Sequence, residues 1–112
     1  MKRCCMIMSA VALVAVLGSP ALAQDAKIQK GMKVFGDQKC SLCHSIADKG
    51  NKKGPLDGVG AKLSADDIKK WVTNAKEMAV KAKADRKPPM KNYALPAEDL
   101  DAVVAYVASL KK

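Results

Sequence analysis

Two thiols and an imidazole stand together in Cys40-Ser41-Leu42-Cys43-His44. Thiols separated by two intervening residues match the separation of the two vinyl groups of a porphyrin, across which they add to give thioethers. A histidine directly after the second cysteine comes under a porphyrin iron within one helical turn, as an axial nitrogen donor. The pattern predicts covalent attachment of one haem by Cys40 and Cys43, with His44 as proximal ligand. A bare pair of thiols at this spacing also fits half of a zinc site or a redox disulfide. Zinc needs two further ligands, and beyond Gln24 the chain offers no other cysteine or histidine. A dithiol oxidoreductase calls for a βαβ context, which does not surround the motif; the redox disulfide stays as the alternative.

The start of the chain bears on where this chemistry takes place. Lys2 and Arg3 precede an apolar run centred on Val11 to Leu17, and Ala21-Leu22-Ala23 supplies a small-x-small cleavage sequence. These regions read as a secretory signal peptide over residues 1–23, with Gln24 first in the mature chain. A retained membrane anchor competes with that reading, but the run is short for a span and closes at Gly18 and Pro20. Cys4 and Cys5 precede the run, so neither is placed as a lipid-bearing cysteine, and both leave with the leader. Thioether attachment occurs outside the cytoplasm, and a bacterial-type leader points to the periplasm.

Removing residues 1–23 from the 112 leaves 89, one small domain over residues 24–112. Chains of this size seldom bury enough apolar surface unaided, so a haem would act as staple and core filler together. Loss of Lys2 and Arg3 lowers the net charge from +9 to +7. A basic surface steers toward acidic proteins, nucleic acid or anionic membrane. The lysines are scattered, without a basic run interleaved with aromatics, so nucleic acid is not expected. Docking to a redox partner with an acidic surface and plain solubility both remain as readings. The mature chain is expected to be a monomer with no stable membrane insertion.

The elements that must position the motif follow in order. Ile28, Met32 and Phe35 recur at helical spacing among Lys27, Lys30 and Lys33, predicting a helix over 25–36 with Met32 in its core face. Gly31 within it costs roughly 1 kcal/mol against alanine, which implies a packing reason. Residues 45–62 read as loop, punctuated by Gly50, Asn51, Gly54, Pro55, Gly58 and Gly60, and glycines let backbone approach a flat ligand closely. Ser64-Ala65-Asp66-Asp67 opens a helix whose inner face is Ile68, Trp71, Val72 and Ala75. Whether it continues or breaks near Asn74 is open from the sequence. Pro88-Pro89 ends any helix there, and Met90 follows. A last helix starts at Pro96, with Glu98 and Asp99 in its first turn. Leu100, Val103, Val104, Val107 and Leu110 form its stripe, with Tyr106 beside it. No strand pattern is found, so the fold class is all-α.

Taken together these features resemble a class I cytochrome c, a monohaem family, over essentially the whole mature chain. The resemblance rests on Gly31 and Phe35, on Cys40, Cys43 and His44, on Gly54-Pro55-Leu56 with Gly58, on Met90 after a proline pair, and on the last helix with Tyr106. It implies three to five helices wrapped around one covalent haem c, with the last helix crossing the first where Gly31 meets Tyr106. It implies a histidine and a methionine on the iron, and a Pro55 carbonyl accepting a hydrogen bond from the far nitrogen of His44. Trp71 resembles the aromatic near a haem propionate in some members, plain core packing being an equal reading. The stretch 76–87 departs from the shorter members. Of the methionines beyond the leader, Met32 is placed in the core and Met78 on a charged helical stretch. Met90 lies on an extended segment suited to the distal side and is expected as the second axial ligand. Met78, a lysine, or no protein ligand stay as the alternatives.

An iron closed by two protein ligands leaves no position for substrate, so no enzymatic activity is expected. One-electron transfer is, with a thioether and an apolar pocket both favouring the ferrous state. The expected role is a periplasmic electron carrier exchanging electrons with redox proteins. Two rivals stand beside it: a haem subunit of a periplasmic dehydrogenase or sulfur-oxidising complex, and a gas-binding or enzyme-like haem protein with an open sixth position.

Overall fold

The computed structural model describes residues 20–112. Residues 1–19 lie outside the described part, and with them Lys2, Arg3, Cys4, Cys5 and the apolar run of the expected leader. Among the described residues, no helix is long and apolar enough to cross a membrane. Helix α1 spans Pro20–Asp37, five residues more at its start than the periodicity predicts. Ala21-Leu22-Ala23 are strong helix formers and carry the helix through this stretch. This first part is exposed from Ala21 to Lys27 and crosses the expected Ala23/Gln24 boundary.

A one-turn 3-10 helix over Cys40–Leu42 follows, then β1 (Ser45–Ile46) and β2 (Lys49–Gly50), α2 (Val59–Lys62), α3 (Ala65–Thr73), α4 (Ala75–Lys81) and α5 (Ala97–Ala108). The all-α class stands. Two short features correct the reading of 45–62 as loop. Strands β1 and β2 pair antiparallel, Ser45 opposite Gly50 and Ile46 opposite Lys49. Ala47 and Asp48 join them with φ of 50° and 65°, the left-handed pair that suits a two-residue hairpin. Such turns announce themselves through Asn-Gly or Asp-Gly, and here Ala47 takes the first position. Its amide donates to Asp57 Oδ1 at 2.8 Å, which fixes the turn from outside. The second feature is α2, held by Gly60, whose amide donates to the Leu110 carbonyl at 2.7 Å. A Cβ on Gly60 would lie 2.7 Å from the carbonyl carbon of Ala108, so only glycine admits the end of α5 there.

Helix α1 packs chiefly against α5, and α3 packs on α5 from another side. Val34, Ile68, Leu100, Val103, Val104 and Val107 form the core, with Phe35, Val59, Leu63, Val72 and Leu95 partly buried around it. Gly31 is the point of closest approach, where a Cβ would overlap the Ala102 carbonyl oxygen and sit 2.6 Å from Tyr106 Cβ. The expected crossing of first and last helices at Gly31 and Tyr106 is therefore observed. Phe35 and Tyr106 meet edge to face beside it, ring centroids 5.8 Å apart at 84°. Lys30 adds a polar clasp, its Nζ 2.8 Å from Glu98 and 3.5 Å from Asp99.

The approach at Gly31 also corrects the expected inner face of α1. With α5 seated on Gly31, the face turned to it runs through Ile28, Gly31 and Val34. Met32 lies about 100° further round and is 47 % exposed. Met32 is not a core residue among the described contacts.

Ser64 caps α3 as its sequence predicts, its Oγ accepting from the Asp67 amide at 3.1 Å. The break left open at Asn74 is real: that residue leaves helical geometry at φ −140°, ψ 47°. Ending a helix frees carbonyls and amides that its interior would have paired. The chain beyond Met90 uses two of them, as described next.

Candidate haem-attachment site

The end of α1 delivers the motif. Lys39 takes a left-handed φ of 58° and turns the chain into the 3-10 turn. The Cys40 carbonyl accepts from both the Cys43 amide at 3.1 Å and the His44 amide at 2.9 Å. Cys40, Cys43 and His44 therefore hang from one closed turn. Cys40 is half-buried, Cys43 is exposed, and both are free thiols, the form that adds across a vinyl group. Burial raises the Cys40 pKa above its ordinary value, against the opposing effect of a backbone hydrogen bond.

His44 is half-buried, and its Nδ1 lies 3.0 Å from the Gly54 carbonyl oxygen. A carbonyl can only accept, so the neutral ring holds its proton on Nδ1 and presents a lone pair on Nε2. Burial holds the His44 pKa below its usual value; the Gly54 bond opposes this and the charge of Arg86 adds to it. The ring is thus kept in its neutral, metal-binding form.

The partner carbonyl is one residue earlier than expected: Gly54, not Pro55. The cause is the pairing of this loop beside β1. The Ser45 amide donates to Gly54 O at 3.1 Å, and the Leu56 amide donates to Ser45 O at 2.8 Å. Successive carbonyls along such an extended stretch point to opposite sides. When Gly54 faces Ser45 and His44, Pro55 faces away, and Pro55 is exposed.

Asn51 braces the turn from below. Its amide donates to the Ser41 and His44 carbonyls at 3.0 and 3.1 Å, and its Nδ2 donates to Leu42 O at 3.0 Å. Gly50, at φ 106°, brings this backbone in, where a Cβ would sit 3.1 Å from Ser41 O. The glycine-rich loop thus wraps the motif, as its composition suggests. Asn51 was legible only as one of six turn residues, because nothing in its neighbours marks it as a triple donor.

Met90 lies in the irregular segment between α4 and α5 and is half-buried. The groups freed at the Asn74 break hold this segment. The Tyr93 amide donates to Val72 O at 2.9 Å, and the Lys76 amide donates to Asn92 Oδ1 at 3.0 Å. Lys91 rests its ammonium 4.9 Å above the Tyr93 ring. Burial raises the Tyr93 pKa, and the charges of Cys40 and Cys43 add to it. Trp71 is half-buried on α3, next to the Val72 that anchors Tyr93. Met78 is half-buried within α4, its backbone engaged on both sides by Asn74 and Ala82.

Two free thiols on one turn and a neutral imidazole with an unprotonated Nε2 fit haem c. Among the described residues, no group of three or more His, Cys, Asp or Glu could hold a metal ion unaided, so a zinc half-site finds no second half there. Comparison with curated proteins and with solved structures found no match. The family model described as cytochrome c matches residues 28–111, from the half-buried Ile28 of α1 to Lys111 beyond α5, with the pentapeptide, the Gly54 loop and the Met90 arm inside that span. The chain belongs to the cytochrome c family, electron-transfer proteins built on a covalently bound haem c.

Proposed function

We propose that this chain is a periplasmic one-electron carrier whose haem is held by Cys40 and Cys43 and closed by His44 and Met90. The observation that carries the reading is the His44 Nδ1–Gly54 bond of 3.0 Å. It fixes the tautomer and ring orientation that an axial donor needs and raises the basicity of Nε2. When bound, haem supplies a ferric/ferrous couple. The chain supplies the rest: two thiols for the covalent hold, an imidazole fixed by a backbone carbonyl, and a thioether on an arm hung from α3 and α4. Trp71 is assigned to a propionate. Two occupied axial positions leave no room for substrate, so the carrier is not an enzyme. Residues 1–23 act as its export signal.

Reversible one-electron behaviour is the expected result of a potentiometric titration of the holoprotein followed in the visible bands. A single transition with n = 1 and the same low-spin spectral type at both ends supports a carrier. Multiple haem transitions, or a high-spin ferrous form, would favour the open-site or subunit readings.

The partner is proposed to be a redox protein with an acidic face. Cys43 and Leu42 are exposed at the motif, Leu42 at 68 %, and the flanking chain carries exposed lysines at 39, 49, 52 and 53. Exposed charges are screened over roughly 10 Å at 0.1 M salt. Stopped-flow electron exchange with such a partner should slow steeply as salt rises; a flat response would leave the lysines as solubilising groups.

A further inference from the structure

The stretch 76–87 places a cation where the reading of His44 makes it matter. Arg86 lies between α4 and Met90, and its guanidinium rests on Gly54. A Cβ on Gly54 would overlap one guanidinium nitrogen and lie 3.0 Å from Arg86 Cζ. Gly54 is thus bare on the side that receives the cation, while its carbonyl receives the His44 Nδ1 proton. Lys30, Lys33 and Lys81 are paired with carboxylates, whereas among the described residues Arg86 makes no ion pair. Its guanidinium therefore rests, with no carboxylate in contact among the described residues, beside the peptide that orients the proximal ring.

We infer that Arg86 is a potential-setting residue, its guanidinium on Gly54 biasing the haem toward the ferrous state through the Gly54–His44 hydrogen bond. The inference rests on His44 being the proximal ligand. Two effects act in one direction. A cation against the Gly54 peptide draws electron density from its carbonyl, which weakens the pull on the Nδ1 proton and makes Nε2 a poorer donor to the ferric ion. The same cation opposes the additional positive charge of the ferric state directly, a Coulomb effect reduced here because Arg86 is exposed.

The test uses the holoprotein with R86Q, R86M and R86K. Near-infrared magnetic circular dichroism of the ferric proteins identifies the axial pair, and potentiometry reads the couple. R86Q and R86M should keep the wild-type axial spectrum and shift the equilibrium about three- to tenfold toward ferric, the upper end being 59 mV for one electron. R86K, which keeps the charge, should stay near wild type. Unchanged potentials in both neutral variants, or an equal fall in R86K, would overturn the inference while His44 ligation stood. Loss of the axial spectrum in both neutral variants would make Arg86 a structural brace and overturn it too. A wild-type spectrum without histidine would instead remove the reading beneath it.

Discussion

Changing Cys40→Ala together with Cys43→Ala should yield a chain that retains no haem in acid acetone and shows no cooperative thermal transition. The first result follows from thioether chemistry: with neither sulfur, nothing covalent holds the porphyrin. The second follows from how little apolar material the chain buries by itself. Among the described residues the buried apolar ones are Val34, Ile68, Ala75, Leu100, Ala102, Val103, Val104 and Val107, with no large side chain fully buried. The two aromatics of the helix crossing, Phe35 and Tyr106, are only partly covered. A domain of this size is held by a margin of roughly 5–10 kcal/mol, of which a covalently held porphyrin would supply much. The measurement is far-UV circular dichroism with thermal melting of the purified double variant. A haem-free variant that stays helical and melts cooperatively would show that α1, α3 and α5 suffice alone, and the staple argument would fall.

Met90→Ala should remove the weak long-wavelength sulfur-to-iron band of the ferric protein and lower the potential by on the order of 0.1 V, within the ~0.8 V over which axial ligands set haem potentials. Met78→Ala should do neither. The difference lies in the backbone. Met78 sits in α4, where the Asn74 and Ala82 bonds hold the chain helical around it. Met90 lies on the arm pinned by Tyr93 to Val72 and by Asn92 to Lys76, with no helix of its own to satisfy. Such an arm is free to present one side chain and rigid enough to keep it there. Ferric absorption spectra and potentiometry of the two variants decide the matter. Met78→Ala behaving as the ligand variant would contradict the assignment.

What could be read from the sequence, and what could not, divides along physical lines. The pentapeptide was legible because the vinyl spacing of a porphyrin dictates both residue type and separation. Gly31 was legible because a glycine in mid-helix has a cost that close packing offsets, and Ala102 and Tyr106 are the reason. The Ser64 cap was legible because its hydrogen bond is local. Met32 was misplaced because Ile28, Met32 and Phe35 make as good a helical stripe as Ile28, Gly31 and Val34. Only the position of α5 chooses between them. The hairpin at Ala47-Asp48 was missed because it uses left-handed residues without glycine, held by Asp57 from ten residues on. Gly54 in place of Pro55 turns on the direction of one carbonyl, which pairing with Ser45 decides. Arg86 was invisible for the same reason: its seat on Gly54 is a long-range contact between two loops.

The central claim is that both axial positions belong to the protein, and carbon monoxide added to the ferrous wild-type holoprotein tests it most directly. No change in the ferrous visible spectrum is expected on mixing, with Met90→Ala binding the gas readily under the same conditions. Rapid carbon monoxide binding by the wild type would contradict it, because an iron so easily reached is not closed by Met90.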